Sequence, residues 1–500
     1  MNYYSTRSDK ICVNSARAVL DGLARDGGLY MPESFDKPFD YKEVIRKDTL
    51  GMAEDIFSYF LDDFTDMKDI VSTAYTGKFD TPELTPLKKV GDKYVLELFH
   101  GPTSAFKDVA LSALPVLMTR AMKICGSDDR ILILTATSGD TGKAAMEGFK
   151  DVPGISIIVF YPDGGVSPIQ KKQMVSAAGA NVRAVAIRGN FDDAQSAVKS
   201  IFTKVKSEPL PAELHTVLSS ANSINIGRLV PQIVYYFKAY AALVDMGEIA
   251  VGDEIDFTVP TGNFGDILAG YFAKLMGLPV HKLICASNRN NVLTDFIQTG
   301  VYDRNRPFYK TSSPSMDILV SSNLERLLYL LCERDSSEIA RLMGELSESG
   351  RYTLPAKALE RLQAEFDCGY ADDCECAQAI SDVWQKYGYL LDTHTAVGWR
   401  VAERCAGNYP CVVLSTASPY KFPSDVLGAV SGKEASEVAG ESDFTGDDAF
   451  AVIDKLYEHT HIDAPANLTS LRDAAIRFTD VIDRADIYDY VMSYIKGELQ

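Results

Sequence analysis

Short apolar runs alternate with amphipathic, helix-length segments along most of this chain, from about residue 94 onward. The runs are β-branched or aliphatic, and they predict strands at 94–98, 131–135, 155–161, 182–187, 255–259, 282–286 and 411–415. Strands that alternate with helices form parallel sheets whose faces are covered by helices. A long helical pattern at 223–245 interrupts the alternation, so we expect two α/β units.

The two ends of the chain show a different pattern. The first 80 or so residues predict several helices and a glycine-rich turn at 26–32, without alternation of strands and helices. Residues 440–448 are acidic, which is typical of a linker, and a helical segment follows them. We therefore expect a mainly helical N-terminal domain at 1–80, a large α/β domain at 81–105 and 216–430 with a helical insertion at about 322–405, a small α/β domain at 106–215, and a C-terminal linker and helical segment at 431–500.

The net charge of the 500-residue chain is −19, from 69 acidic and 50 basic side chains. Nucleic acids and anionic membranes bind basic surfaces, so the charge argues against both as partners. Lys238 interrupts the long apolar tract at 233–244, and the remaining runs are too short to span a bilayer. The amino terminus lacks an apolar signal core, so we expect a cytoplasmic protein.

The nine cysteines are scattered, and none belongs to a C-x-x-C pair with nearby histidines. This pattern indicates reduced thiols rather than a metal site. His459 and His461 could contact a metal ion, but two ligands without a third nearby are more often a surface pair. We expect no bound metal.

The stretch 96–108 predicts a strand, a Gly-Pro break and then a helix that begins near Lys107. Ser104 is a suitable N-cap, and Pro115 could kink the helix. The positive end of the helix dipole disfavours an ammonium group and favours the neutral amine, which can attack a carbonyl. The alternative is a solvated lysine paired with Asp108, and this stretch alone does not decide between them.

Three turns follow predicted strands, and ligands bind at the carboxyl ends of the strands in such sheets. The turn at 135–142 offers hydroxyls and glycines at a helix start, which suits a carboxylate or phosphate. It is not a P-loop, because threonine stands at 137 and alanine at 144. The turn at 261–266 has two glycines three apart and suits a single phosphate, whereas the turn at 414–421 offers hydroxyls without an acid.

These features together fit one cofactor. The lysine suits an aldehyde, the glycine turn a phosphate, and the hydroxyl turn a pyridine nitrogen. The remaining anion site suits the carboxylate of an amino acid. Pyridoxal 5′-phosphate has the first three of these groups.

Several ordered motifs of the chain resemble those of the threonine synthase family, over about residues 1–430. They are FHGPTSAFKD at 99–108, TSGDTG at 137–142, NSINIGR at 222–228 and TGNFGD at 261–266, joined by PSMDI at 314–318, HTAVG at 394–398 and STASP at 415–419. The resemblance is to the longer form found in fungi and many bacteria. It implies an α/β fold of pyridoxal phosphate fold type II, similar to tryptophan synthase β, with two parallel-sheet domains and an additional N-terminal domain.

The resemblance also implies roles for single residues. Lys107 would carry the cofactor covalently and shuttle protons, and Thr416 would hydrogen-bond the pyridine nitrogen. The cofactor phosphate would lie against Gly262, Asn263, Phe264 and Gly265. The substrate carboxylate would lie against Ser138, Gly139, Asp140 and Thr141, and Asp140 would also lie near the cofactor. The substrate phosphate would lie against Asn225 and Arg228. The chain departs from the family pattern at Ser418 and at 163–165.

The implied reaction converts O-phospho-L-homoserine and water to L-threonine and phosphate, by γ-elimination followed by β-addition, as the last step of threonine biosynthesis. Two related enzymes remain as alternatives, a phospholyase and a serine/threonine dehydratase, each of which releases a 2-oxo acid. A catalytically silent ligand-binding relative is a third, although it would be expected to lose the lysine or a glycine turn. We expect a monomer or a small homo-oligomer.

Overall fold

The computed structural model describes residues 1–137, 139–164, 166–189, 191–405, 407–439 and 446–498. Three sequence predictions therefore fall, wholly or partly, outside the described residues. They concern Ser138 in the predicted substrate loop, Gly165 in the second departure from the family pattern, and residues 440–445 of the acidic linker.

The N-terminal unit combines a small antiparallel sheet with helices. Its elements are β1 (Asn2–Ser5), β2 (Ser8–Asn14), α1 (Ser15–Asp21), β3 (Tyr30–Pro32), α2 (Tyr41–Val44), α3 (Thr49–Phe60) and α4 (Met67–Tyr75). The strand order is β2-β1-β3, and β1 runs antiparallel to both neighbours. The helices were predicted, but the sheet was not, because β2 is mostly polar and only partly buried.

The next part of the chain supplies the smaller parallel sheet. The elements are β4 (Leu87–Val90), β5 (Lys93–Glu97), α5 (Lys107–Ile124), β6 (Arg130–Ala136), α6 (Asp140–Phe149), β7 (Ile155–Pro162), α7 (Pro168–Val175), β8 (Val182–Arg188), α8 (Phe191–Ser207), β9 (Thr216–Ser219) and α9 (Ile226–Asp245). β6, β7, β8 and β9 lie in this sheet, and all their pairings are parallel. The central strands are apolar almost throughout because helices cover both faces.

The larger sheet draws on the following part of the chain together with β4 and β5. The elements are β10 (Ile255–Pro260), α10 (Gly265–Leu275), β11 (Val280–Ser287), α11 (Val292–Thr299), β12 (Val301–Asp303), α12 (Leu324–Leu331), α13 (Ser336–Ser349), β13 (Arg351–Thr353), α14 (Ala356–Glu365), β14 (Phe366–Tyr370), α15 (Asp373–Tyr387), α16 (Thr393–Cys405), β15 (Cys411–Ser415) and α17 (Pro423–Ser431). The strand order is β14-β11-β10-β15-β5-β4, parallel except at the β4 edge.

The C-terminal segment returns to the smaller sheet. It contains α18 (Ala435–Ala439), α19 (Gly446–Thr460), α20 (Ala466–Thr469), β16 (Val481–Asp483) and α21 (Ile487–Ile495). β16 pairs in parallel with β8 at the edge of the sheet, and α21 packs on α8. The segment is therefore built into the fold and contributes a strand in addition to the predicted helices.

All seven strands predicted from the apolar runs are confirmed, and so is the division into two parallel sheets. Two predicted details need correction. β9, at 216–219, pairs with β6 in the smaller sheet, so the boundary predicted after residue 215 lies several residues later. The predicted helical insertion at 322–405 contains β14, which forms an edge of the larger sheet.

The long helices α5 and α9 pack against each other, and N-terminal helices pack on both. Most of α9 is buried, including Arg228 near its start. This packing brings the N-terminal unit close to the helix that begins at Lys107. Among the described residues, no helix combines the length and apolar character needed to cross a membrane.

Candidate active site

Lys107 is the first residue of α5, as the sequence predicted. The predicted cap at Ser104 is wrong, because the residue preceding the helix is Phe106, and Ser104 lies in the loop with a left-handed φ of 57°. The carboxylate of Asp108 instead accepts from the Thr103 N–H (2.8 Å) and hydroxyl (2.6 Å). The alternative of a solvated lysine paired with Asp108 is also wrong, since the Lys107 side chain is only 11% exposed and approaches a different carboxylate.

The Lys107 amine lies among groups from other parts of the chain. Nζ is 3.7 Å from Asp140 Oδ2, 3.5 Å from Ser315 Oγ and 4.7 Å from the centre of the Phe106 ring. Burial lowers the pKa of Lys107 to about 8; Asp140 opposes this shift, whereas Lys421 and Arg228 add to it. A much larger fraction of neutral amine is therefore present near neutral pH than on an exposed lysine.

Asp140 is the centre of a buried charge cluster. Its Oδ1 lies 2.5 Å from Lys421 Nζ and accepts from Gln170 Nε2 at 2.9 Å. Burial alone would raise the pKa of Asp140, but the ammonium groups of Lys421 and Lys107 hold it well below its ordinary value. Asp140 is therefore a fixed negative charge beside Lys107.

The hydroxyl turn after β15 lies directly against the Lys107 loop. The Thr416 carbonyl accepts from the Phe106 N–H at 2.9 Å, and Ala417 bridges to Ala105. Lys421, at the end of the same turn, also donates to the Thr103 carbonyl at 3.0 Å. The loop that leads to Lys107 and the hydroxyl turn at 414–421 are therefore neighbours.

The glycine turn after β10 has the shape of an anion site. Phe264 has a left-handed φ of 62° and directs the chain into α10, which begins at Gly265. A Cβ at Gly262 would lie 2.6 Å from the Ser315 carbonyl oxygen, so a side chain does not fit there. Asn323 fixes the turn by donating Nδ2 to the Asn263 carbonyl at 3.0 Å. A rigid turn at a helix N-terminus fits the single phosphate of pyridoxal phosphate.

Asp266 lies in the first turn of α10 and is buried beside the glycine turn. Its Oδ1 accepts from the hydroxyls of Tyr235 (2.5 Å) and Tyr236 (2.9 Å), while Oδ2 has no partner. Burial raises the pKa of Asp266 to about 6, although the hydrogen bonds from the two tyrosine hydroxyls lower it. The carboxyl is therefore still mostly ionised at neutral pH and becomes neutral only in mild acid.

The predicted substrate loop opens α6. Gly139 has a φ of 142°, which favours glycine, and an added Cβ would collide with Gln170. Its N–H donates to Thr137 Oγ1, as does that of Gly142, both at 3.0 Å. The sequence predicted Gly139 itself as a substrate contact, but its N–H is already engaged. The first-turn N–H groups of Asp140 and Thr141 remain as donors.

The two residues predicted for the substrate phosphate have different environments. Asn225 is the N-cap of α9 rather than a residue on its face: Oδ1 accepts from the Gly227 N–H (2.8 Å), and Nδ2 donates to the Val19 carbonyl (2.9 Å). Its amide is thus engaged in structure, which argues against the predicted phosphate contact. Arg228 donates to the Ala221 carbonyl at 2.9 Å, while its buried Nε has no partner.

Arg228 is a buried cation, and among the described residues none places a carboxylate within ion-pair distance of it. Burial lowers the pKa of Arg228 to about 10, and its charge in turn lowers the pKa of Lys107. A buried, unpaired guanidinium costs stability unless an anion joins it. Arg228 is therefore a candidate for binding an anion.

A chain of buried hydrogen-bonded residues beside Lys107 was not predicted from the sequence. The Ser315 N–H donates to His394 Nε2 at 3.1 Å, and His394 Nδ1 lies 3.0 Å from Asp392 Oδ1. Since a backbone N–H can only donate, His394 Nε2 carries the lone pair and Nδ1–H donates to Asp392. Both motifs, at 314–318 and 394–398, were noticed, but nothing in their spacing shows that they meet beside Lys107.

Comparison with known proteins agrees with this arrangement. The family models that match are "Threonine synthase N terminus" at 2–75, "Pyridoxal-phosphate dependent enzyme" at 79–416 and "Threonine synthase, C-terminal" at 395–491. The threonine synthase of Pseudomonas aeruginosa is 40% identical over 445 residues, which are 87% of this chain and 91% of that protein. The crystal structure of PLP-bound threonine synthase from Brucella melitensis matches with a TM-score of 0.85 and 38% identity, over 99% of each chain.

Threonine synthase-like 1 from Homo sapiens is 39% identical over 440 residues, 85% of this chain but only 59% of that protein. The chain thus spans about 59% of the length of that relative. Two parallel sheets with a buried lysine and a rigid glycine turn at their strand ends, together with the family match, define a pyridoxal-phosphate-dependent enzyme of fold type II. Within that class, this chain belongs to the threonine synthase family. The predicted family, fold class and cofactor are confirmed.

Proposed function

We propose that this chain is a threonine synthase that converts O-phospho-L-homoserine and water to L-threonine and phosphate. The main observation behind the proposal is that the Lys107 amine is buried, has a lowered pKa and lies beside Asp140 at the strand ends. The glycine turn at 262–265 and the hydroxyl turn at 414–421 lie at the same strand ends. Family membership over nearly the whole chain supports the same reaction.

Pyridoxal phosphate, when bound, supplies the electron sink that makes the substrate Cα proton removable. We assign its phosphate to the turn at 262–265, its aldehyde to Lys107 and its pyridine nitrogen to Thr416. Support for this comes from the rigid turn at the start of α10 and from the hydrogen bond between the Phe106 N–H and the Thr416 carbonyl. A neutral hydroxyl at the nitrogen, rather than a carboxylate, leaves that nitrogen largely unprotonated.

The Lys107 amine is the group that moves protons in this proposal. Released from the cofactor, it takes the proton from the substrate Cα and then one from Cβ as phosphate leaves Cγ. A proton is returned at Cγ, which becomes the methyl group, and after water adds its hydroxyl at Cβ a proton is returned at Cα. A pKa of about 8 suits both directions, because an acid–base group is most effective when its pKa lies near the working pH. Ser315 Oγ, 3.5 Å from Nζ, orients the amine, and Asp140 stabilises its protonated form.

The substrate has two anionic ends. We assign its carboxylate to the first-turn N–H groups of Asp140 and Thr141, and its phosphate to Arg228. A guanidinium can make two parallel hydrogen bonds to a phosphate, and Arg228 has an unpaired buried Nε. The net charge of −19 repels such a substrate at long range, so the pocket must provide this local positive charge.

Product analysis tests the proposed reaction. Incubation of the cofactor-loaded enzyme with O-phospho-L-homoserine is expected to release L-threonine and phosphate in equal amounts. Release of phosphate with 2-oxobutyrate would identify a phospholyase. Release of a 2-oxo acid from L-serine or L-threonine would identify a dehydratase, and failure to consume any of these substrates would identify a silent ligand-binding relative.

The proposal includes a cytoplasmic location and a monomer or small homo-oligomer. Support for the location is the odd, scattered set of nine cysteines, which is typical of a reducing compartment. Sedimentation of the purified protein measures the oligomeric state.

A further inference from the structure

The C-terminal segment contacts the loop that leads to Lys107 through one side chain. Asn467, in α20, donates Nδ2 to the Gly101 carbonyl at 3.0 Å and accepts at Oδ1 from the Ser104 hydroxyl at 2.9 Å. Both bonds are well formed, and they join residues more than 360 positions apart. The two bonds are made to the first and last residues of the 101–104 turn, which lies immediately before α5.

The backbone at Ser104 explains why such a contact matters. Its φ of 57° lies in the left-handed region, which a serine rarely adopts without help from its surroundings. Asn467 holds the side chain of this strained residue, three positions before Lys107. If the loop relaxed toward an ordinary φ, the start of α5 would shift and Lys107 with it.

The segment that carries Asn467 is itself anchored on both sides. Leu468, the next residue, is fully buried, and the Tyr420 hydroxyl donates to the Ile462 carbonyl. Farther along, Arg477 donates to the Ala177 carbonyl beside the smaller sheet, and β16 then pairs with β8. The segment thus connects the smaller sheet to the loop at the end of β5 in the larger sheet.

We propose that Asn467 is a positioning residue for Lys107: it holds the 101–104 turn in its left-handed conformation and ties that turn to the smaller sheet. The inference deepens the proposed function and rests on it, because it assumes that Lys107 carries the cofactor. In this proposal the C-terminal segment affects the reaction by positioning Lys107, without contacting the substrate.

The test compares Asn467→Ala with Thr469→Ala as a matched control. Thr469 lies in the same short helix, but its hydroxyl donates to Ala466 within that helix. The readouts are the rate at which cofactor-free enzyme captures pyridoxal phosphate, followed by absorbance, and kcat and KM with O-phospho-L-homoserine. Two neutral hydrogen bonds together are worth about a factor of ten, so capture and kcat are expected to fall about tenfold while KM changes less than about threefold.

A double-mutant cycle with Ser104→Gly separates positioning from general loss of structure. Ser104→Gly also removes the Ser104 hydroxyl, which leaves Asn467 only its bond to the Gly101 carbonyl. Glycine adopts a positive φ without a holding contact, so in that background Asn467→Ala is expected to slow capture by less than the about threefold that one bond is worth. A slowing of about threefold or more in that background, or Asn467→Ala behaving like Thr469→Ala, would overturn the inference. If Asn467→Ala fails to fold, Ser104→Ala serves in its place, because it removes one of the two bonds; capture is then expected to slow about threefold, and an unchanged rate overturns the inference.

The proposed function has a separate check in the same preparation. Borohydride reduction of the wild-type enzyme followed by peptide mapping shows which lysine carries the cofactor. A label on another lysine refutes the assignment of Lys107 whatever the Asn467 variants do. A label on Lys107 with no effect of Asn467→Ala refutes only the positioning role.

Discussion

Lys421 Nζ lies 2.5 Å from Asp140 Oδ1, and both side chains are almost wholly buried. The two residues follow strands of different sheets. Asp140 is at the start of α6, after β6 of the smaller sheet, and Lys421 is in the turn after β15 of the larger sheet. Their pairing therefore joins the two α/β units at the point where Lys107 lies. Because neither charge reaches water, removal of Asp140 leaves the Lys421 ammonium buried without its carboxylate partner.

Asp140→Asn is expected to lower the free energy of unfolding by about 3–5 kcal/mol, since it leaves Lys421 without its carboxylate. Chemical denaturation at pH 7 measures this loss. Asp163→Asn is the matched control, because Asp163 pairs with Lys171 at 3.4 Å on the surface, where such a pair contributes about 0–1 kcal/mol. Equal effects of the two substitutions would show that the buried pair does not stabilise the fold.

The same variant has an expected pH dependence. The pKa of Asp140 is held low in the folded state, so its contribution to stability is present above the pKa of an unfolded aspartate, about 4, and is lost as the pH falls below that value. The difference in stability between wild type and Asp140→Asn is therefore expected to shrink in acid. A difference that grows below pH 4 would contradict a low pKa.

Lys107 in the cofactor-free protein is expected to react with a lysine-specific acylating reagent with a midpoint near pH 8, compared with about 10.4 for an ordinary lysine. Lys421→Met removes a nearby positive charge and should raise the midpoint, whereas Asp140→Asn removes a negative charge and should lower it. Competitive labelling followed by peptide analysis measures each midpoint. Shifts of both variants in the same direction would contradict the proposed charge arrangement.

Much of this architecture follows from local patterns, and the errors have identifiable physical causes. The seven predicted strands are apolar runs buried between helices, which is the case that hydrophobic periodicity identifies best. β2 and β14 were missed because they are only partly buried and carry polar residues, so their pairing depends on neighbours distant in sequence. Lys107 was found from its place at a helix start.

The rest of the site depends on tertiary contacts that no local pattern encodes. Ser104 was expected to cap α5, but Asp108 satisfies the N–H groups of that turn and Ser104 bonds to Asn467 instead. Asn225 matched a family motif, yet its amide caps α9 and contacts the N-terminal unit. Lys421 stood within a noted turn, but only the folded chain shows that its ammonium group reaches Asp140.

Arg228→Met is expected to lower kcat/KM for O-phospho-L-homoserine by at least about 30-fold, because loss of a buried charge-assisted contact costs about 2–5 kcal/mol. The free protein should become more stable, since a buried unpaired cation is replaced by an apolar side chain. Steady-state kinetics beside a cofactor titration and thermal unfolding measure these effects.

Lys238→Met on the same helix is the control for Arg228, because Lys238 is only partly buried and should tolerate the change in both assays. Near-normal kcat/KM in Arg228→Met, or loss of the cofactor itself, would show that Arg228 does not bind the substrate phosphate. A large loss of stability would show that Arg228 serves the fold.

Ser315→Ala is expected to reduce kcat about tenfold with little change in cofactor affinity, because its hydroxyl contacts Lys107 and Asp140 and orients the amine for proton transfer. Ser312→Ala is the control, since the Ser312 hydroxyl donates to Asp373 away from Lys107. Stopped-flow measurement of substrate deuterium exchange at Cα isolates the proton-transfer step. An unchanged exchange rate in Ser315→Ala would place that hydroxyl outside the reaction.

The Lys107 amine is proposed as the reactive group around which the two sheets, the glycine turn and the buried charges are arranged. Borohydride reduction of the cofactor-loaded enzyme, followed by proteolysis and mass spectrometry, tests this assignment. We expect one reduced pyridoxyl label per chain on Lys107, and none in Lys107→Ala. A label on any other lysine, or one that persists in Lys107→Ala, would contradict the assignment.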